Sequence, residues 1–449
     1  MVKKKENVIG KKKKFDRDKV VDKLVYFAQK FSQQLYMRTL RDAFVVIMPI
    51  FTVAGIAIMI NQVIFPFFAK GEALANLQIW GQLVTNGTLN IGGLAVSVTI
   101  GYILARNRGF DDPIASSIVS LAGFIISMPL INQVIPDGAT EAVDVGGVVI
   151  IKNLGANGMF SAIIIGIISV EIFIKLSKIE KLKINLGDSV PPYVAKSFNS
   201  LIPFTISISL VALVGALLII FFKTDITSLI IELIQKPLQK VNTSLFGVLL
   251  IYGFGNLFFW VGIHPFVNST ILNPPMLVNM SENMEAFASG HEAPHILTNT
   301  FRDTFGQFGG VGNTIGLIIA ILLFSKIVSN RKIAWLSLGP SLFNINEPMI
   351  FGYPIVFNLS MLIPFYLNPL ISISIAYFFT SIGWMGKTVV MIPWNLPPII
   401  SAYLATAGDW RAAVIHFFIL ILNVLLYLPF MKLNEKILKR TGELNEQIS

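Results

Sequence analysis

No cysteine occurs in the 449 residues. Disulfides, thiolate metal sites and covalent thiol intermediates are therefore excluded from them. Charge is scarce too. Charged side chains make up 13% of the chain, against about 25% in an ordinary soluble domain. Histidine occurs only at 264, 291, 295 and 416. A cleavable signal peptide is absent from the expected pattern. The basic stretch of Lys3, Lys4, Lys5 and Lys11 to Lys14 continues as charged chain to Arg41, far from the first apolar run. The alternating segments of about 10 residues that mark a membrane barrel are missing as well.

What is abundant is apolar chain, at 54% of residues. Runs near the length of a bilayer crossing recur at 43–65, 91–105, 114–131, 159–174, 201–222, 244–263, 314–327, 349–367, 370–382 and 412–431. They predict an all-α polytopic membrane protein with about ten transmembrane helices. The net charge of +10 tracks the helix ends. Lys and Arg accumulate in cytoplasmic loops. Residues 1–42, Arg106 with Arg108, the lysines of 175–183 and the basic end at 432–440 are expected inside. The acidic stretch 137–144 is expected outside. Charge distributed this way excludes nucleic acid as the partner and leaves membrane lipid.

Five domains or segments follow. Residues 1–42 read as a cytoplasmic lead, in which Val20, Val21, Leu24, Val25, Ala28 and Phe31 have amphipathic helical spacing. A solvated tail is the alternative. Residues 43–222 form a regular transmembrane half. Residues 223–245, with Lys223, Asp225, Glu232, Lys236 and Lys240, read as an amphipathic connector. Residues 246–435 form a second half whose apolar runs are broken by Pro, Gly and Asn, and 436–449 a cytoplasmic tail. Broken hydrophobic segments are the best sequence pointer to a transporter binding site. No internal repeat relates the halves.

Within the second half, NINEPMIFGYPIVFN (344–358) stands out. Glu347 is the only charged side chain between Pro340 and Pro364. A carboxylate at membrane depth costs about 2.5–3.5 kcal/mol on insertion scales and is a functional-site hypothesis by default. Pro348 disfavours helix at the residue before it. Glu347 is thus expected on broken backbone, buried in protein or lining a wet cavity. A solvated loop between two helices is the alternative.

Other constellations are weaker. His264 in FWVGIHPF has Trp260 four residues before it; an imidazole and an indole suit a sugar's hydroxyls and C–H faces, and equally a packed core. Trp394 and Asn395 lie between Pro393 and Pro397, held by constrained backbone or marking an interfacial turn. GGVGNT (309–314) lacks the Gly-Lys-Ser/Thr ending of a phosphate loop, which favours close packing. HEAPH (291–295) matches the zinc pattern His-Glu-x-x-His, but Pro294 opposes the required helix. His416 has no polar company and reads as a core residue.

Together, NINEPMIFGYPIVFN, FWVGIHP, VPPYVAKSFNSLIPF (190–204), MIPWNLPP and RDAFVVIMPI (41–50) resemble the membrane permease subunit, enzyme IIC, of the bacterial sugar phosphotransferase system. The resemblance covers about 20–440 and is to the lactose/cellobiose/diacetylchitobiose group. It implies a homodimer in the cell membrane, with a dimerising first half and re-entrant hairpins in a sugar-binding second half. It implies that Glu347 and His264 face the C6 hydroxyl of a β-linked disaccharide. Trp394 would flank the sugar, with Asn346, Asn299, Trp260, Asn157, Gly158 and Asn395 as further contacts. No cofactor or metal is implied. The phosphoryl donor of this group is a phosphocysteine on IIB, itself charged through IIA and HPr. With no cysteine here, IIB is expected on a separate polypeptide. Pro265, Asn395-Leu396 and Leu359-Ser360 depart from the usual pattern. A proton-coupled secondary transporter, with Glu347 as carrier, is the alternative; an intramembrane zinc protease is a third.

Overall fold

A computed structural model describes residues 34–136, 141–184, 192–242, 244–261, 266–353 and 355–441. The amphipathic stretch of the lead and His264 lie outside the described residues.

Helix α1 (Leu35–Met59) starts where the Gln34 side chain accepts the Met37 N–H. It continues through a π-helical turn, Ile60–Ile64, whose Asn61 meets helix α2 (Gly71–Asn86). Asn61 Nδ2 donates to the Gln78 carbonyl at 2.8 Å, and Gln78 Nε2 returns a bond to the Asn61 carbonyl at 3.0 Å. Helix α2 was not foreseen, because Glu72, Asn76, Gln78 and Gln82 dilute its apolar character. Helices α3 (Gly92–Asn107), α4 (Pro113–Ile126) and α5 (Met159–Ser177) pack small residue against small residue. A Cβ at Gly101 would lie 2.7 Å from the Ser116 carbonyl, and one at Gly123 2.3 Å from Ser169 Oγ. Without a hydrophobic force between helices in lipid, such close approach supplies the attraction. Strands β1 (Ile131–Val134) and β2 (Val143–Gly146) form an antiparallel hairpin pairing Ile131 with Gly146. Helix α6 (Pro192–Leu217) completes this half. Short helical segments at 226–242 follow, docked on the end of α4 by the Thr227 N–H to Ser127 carbonyl bond of 3.0 Å.

The second half holds α7 (Leu245–Trp260), α8 (Phe266–Ala288), α9 (Asn299–Gly306), α10 (Thr314–Phe324), α11 (Val328–Leu342), α12 (Glu347–Gly352), α13 (Leu359–Ser381), α14 (Ile400–Ala405) and α15 (Trp410–Thr441). The apolar runs 349–367 and 370–382 are not two spans. A break follows α12, the Asn358 side chain caps the Ser360 N–H, and α13 then runs through Pro364 and Pro369. Prolines inside membrane helices are tolerated where neighbouring groups satisfy the freed backbone. Among the described residues, 6 helices are long and apolar enough to cross a membrane, with Pro113–Ile126, Leu245–Trp260 and Thr314–Phe324 shorter.

The first-half core gathers Ile47, Phe51, Ile100, Phe124 and Met159. It also takes Leu277, Val278, Met280 and Met284 of α8, and Met391. Two further cores, around Phe301, Phe305 and Phe308 and around Leu317, Met349 and Tyr353, belong to the second half. Where the halves meet, a Cβ at Gly55 would lie 2.4 Å from the Met391 carbonyl, so the segment after α13 presses directly on α1.

That segment is anchored at its far side by Asp409. Its Oδ2 accepts the Gly386 N–H at 2.7 Å, and its Oδ1 the Arg411 N–H at 3.0 Å. Partial burial pushes its carboxyl up, but the Arg411 guanidinium and these two backbone donors outweigh this and hold it below the usual carboxylate range. A depressed folded pKa stabilises fully above the unfolded value of about 3.9 and is lost as pH falls through the folded value. Asp409→Asn should therefore lower the melting temperature at pH 7 and flatten the acid limb below about pH 4, measured by thermal unfolding in detergent. An unchanged acid limb would remove Asp409 from the account.

Candidate functional site

Three interrupted segments, 309–314, 344–347 and 391–398, converge in the second half. Gly309, Gly310 and Gly312 have φ of 71°, 92° and 80°, and Asn344 has 61°. At Gly310 the reason is close approach: a Cβ would sit 2.5 Å from the Asn346 amide carbon. Asn344 Oδ1 accepts the N–H groups of Gly309 and Gly310 at 2.9 and 3.1 Å. Its Nδ2 donates to the Trp394 carbonyl at 2.5 Å. Asn346 Nδ2 donates to the Val311 carbonyl at 2.8 Å and to Thr314 Oγ1 at 3.0 Å. Two asparagine side chains thus clasp three stretches of irregular backbone. Both are buried, so each bond replaces water that the backbone would otherwise need.

Glu347 opens α12 directly after this clasp, followed by Pro348. Its side chain is exposed, not enclosed by protein. That excludes burial in protein; exposure by itself does not separate a cavity-lining carboxylate from one in a solvated loop. The Trp394 ring is 48% exposed, and Asn395 is exposed beside it. Trp260 is buried. Its indole N–H donates to the Asn358 carbonyl at 3.0 Å, and its own carbonyl accepts the Phe357 N–H at 3.0 Å. These bonds pin the end of α7 to the chain leaving α12.

A small cleft lies beside the clasp, lined by Thr300, Asp303, Asn344, Pro393, Trp394 and Ser401 among others, with a volume of about 10 Å³, room for about one water. Asn299 opens α9 and is buried with Oδ1 unpartnered, and Thr300 Oγ1 is likewise unpartnered. Sequence reasoning missed Asp303 and Arg302. Asp303 Oδ1 accepts Arg302 Nε at 2.9 Å and Gln307 Nε2 at 3.3 Å, and Arg302 donates onward to Asn273 Oδ1 at 2.8 Å. A buried ion pair held by extra hydrogen bonds is costly to place in apolar surroundings and is a pointer to function. The signal was present as Arg-Asp inside the aromatic stretch FRDTF.

Asn157 and Gly158 sit elsewhere, in the turn before α5, and neither lines the cleft. A Cβ at Gly158 would lie 1.9 Å from the Asn153 carbonyl and 2.8 Å from the Phe124 ring. His416 is a core residue. Nδ1 accepts the Ile399 N–H at 2.6 Å, so Nε2 carries the proton and donates to the Thr304 carbonyl at 2.9 Å. The zinc reading of HEAPH fails, because 291–295 is not helical and its two histidines share no helix face. His295 pairs with Glu282 instead, and Lys387 with Glu292 at 2.9 Å.

Residues 41–369 match the family model described as Phosphotransferase system, EIIC. The lichenan permease IIC component of Bacillus subtilis is 32% identical over 423 residues, covering 92% of each chain. The cellobiose-specific EIIC component of Lactococcus lactis is 31% identical over 475 residues, covering 91% of this chain and 95% of that one. The crystal structure of the transporter ChbC, the IIC component of the N,N'-diacetylchitobiose-specific phosphotransferase system, superposes with a TM-score of 0.85 at 30% identity, covering 93% and 98% of the two chains.

Proposed function

From the premise that this chain belongs to the phosphotransferase-system EIIC family, we propose that it carries a β-linked disaccharide and presents the C6 hydroxyl to a phosphoryl group on IIB. The observation that carries this reading is the clasp: Asn344 ties the backbone of Trp394 to the segment that delivers an accessible Glu347. Trp394 offers an aromatic face to a sugar ring, and Glu347 a carboxylate for a hydroxyl. Phosphoryl transfer depends mainly on positioning and charge stabilisation. A carboxylate that accepts the hydroxyl hydrogen orients the nucleophile and can take its proton. Relatives named for lichenan, cellobiose and N,N'-diacetylchitobiose support the β-linked class. The cleft of about 10 Å³ lies far below the roughly 300–1,000 Å³ of small-molecule sites and holds no sugar ring as it stands. In this reading the sugar lies against the exposed Trp394, and the segments lining the cleft move apart to admit it.

His264 joins Glu347 at the hydroxyl in this reading, and Asn299 serves the sugar through its unpartnered oxygen. Asn346 and Trp260 act as braces, since their donors are already engaged. The phosphocysteine lies outside these 449 residues, which contain none. The assembly is a homodimer built on the first half, with α9 and α12 as parts of re-entrant hairpins and both termini cytoplasmic.

Reconstitution tests it. In proteoliposomes with phospho-IIB, cellobiose or diacetylchitobiose should appear inside as the 6-phosphosugar by mass spectrometry. Unmodified sugar, accumulated under a pH gradient without IIB, would overturn the reading in favour of proton coupling.

A further inference from the structure

The corner between α10 and α11 is used by nothing described so far. Lys326, Arg331 and Lys332 are exposed there and, with Val328, Trp335 and Leu336, line one surface depression. No acidic residue occurs between Asp303 and Glu347 in the sequence. The carboxylate on the neighbouring element, Glu435 of α15, is buried and taken up by Ser325 Oγ and by Lys432 at 3.4 Å. Among the described residues no side-chain ion pair or hydrogen bond engages the three cations.

The order of residues along α11 is informative. Its buried stripe is Asn330, Ala334, Ser337 and Ser341. The exposed stripe reads Val328, Arg331, Lys332, Trp335 and Leu336, at helical steps of three and four. Cations come first. Trp335, 64% exposed, lies about 6 Å further along the axis, followed by Leu336 at 76%. On the adjoining end of α10, Leu323 is 67% exposed and Phe324 44%. Cation, then indole, then aliphatic is the sequence of environments met on passing from headgroup to interface to hydrocarbon. Leu323 and Phe324 end an apolar helix, which favours the bilayer boundary for this patch over a surface turned to water.

We propose that the α10–α11 corner binds the headgroup of an anionic phospholipid through Lys326, Arg331 and Lys332, with Trp335 and Leu336 against its glycerol and acyl region. Basic pockets beside membrane helices are suited to such headgroups, and basic residues near the surface attract them.

The test uses the full chain purified in mild detergent and native mass spectrometry with phosphatidylglycerol or phosphatidylcholine. Wild type should retain phosphatidylglycerol preferentially. The triple variant Lys326→Gln, Arg331→Gln, Lys332→Gln should bind it about a hundredfold more weakly and lose the preference. The charge-retaining pair Lys326→Arg, Lys332→Arg should keep it, which separates lost charge from lost folding. Bromine-labelled phosphatidylglycerol should quench wild-type fluorescence more than that of Trp335→Phe. An unchanged lipid preference in the triple variant would overturn the proposal. Displacement of the lipid by millimolar inorganic phosphate would reduce it to a simple anion site, also against it. Loss of IIB-dependent phosphorylation in detergent with lipid preference intact would assign the surface to a protein partner instead.

Discussion

Replacing Glu347 by Gln should lower sugar phosphorylation by about 100-fold or more, the lower end of what a positioned base contributes, while sugar binding stays near wild type. The contrast follows from where Glu347 stands. Its side chain is exposed, whereas the bonds that hold the segment belong to its neighbours Asn344 and Asn346. Gln keeps the shape and one acceptor oxygen but gives up the charge and the ability to take a proton. The clasp, the start of α12 and the Trp394 loop should therefore survive. Initial rates with phospho-IIB in proteoliposomes give the first quantity. Thermal stabilisation by cellobiose, which reports binding by mass action, gives the second. Wild-type phosphorylation by this variant would remove Glu347 from the chemistry.

Asn344→Ala should be the most destabilising single change in the site, and it should abolish sugar binding as well. It strands the N–H groups of Gly309 and Gly310 and the Trp394 carbonyl, which Asn344 now partners. Each buried group left unsatisfied costs about 1–3 kcal/mol. Ala also tolerates the φ of 61° less well than Asn. The sum is roughly 3 kcal/mol or more, which should read as a clear drop in melting temperature. Asn344→Asp should fall between, since it keeps the acceptor for the two glycine N–H groups and loses the donor to Trp394. If Asn344 acts by placing Trp394, adding Trp394→Ala to Asn344→Asp should cost binding less than the two changes summed. Full additivity with an intact melting profile would show that Asn344 does not position the ring.

How much of this was legible in advance differs residue by residue. Glu347 could be found from sequence because it is a single charge in a long apolar stretch, and local hydropathy is enough to see it. Trp394 was visible through its flanking prolines. Arg302 and Asp303 were equally charged but lay outside the long apolar runs, so their burial went unseen. Asn344 had no local signal. Its partners are 35 and 50 residues away, and an Asn before Ile-Asn-Glu-Pro reads as turn chemistry only.

By itself the sequence determined the membrane class, the apolar segments, the broken character of the second half and the exclusion of cysteine chemistry. These depend on composition and on spacing within one helix length. That α2 forms against Asn61, that one helix runs through Pro364 and Pro369, that HEAPH is a clamped loop and that Met391 presses on Gly55 came from the folded chain alone. Each of these depends on what a residue meets across the fold. In lipid, where apolar surface has no preference among apolar neighbours, it is close packing and paired polar groups that choose the contact.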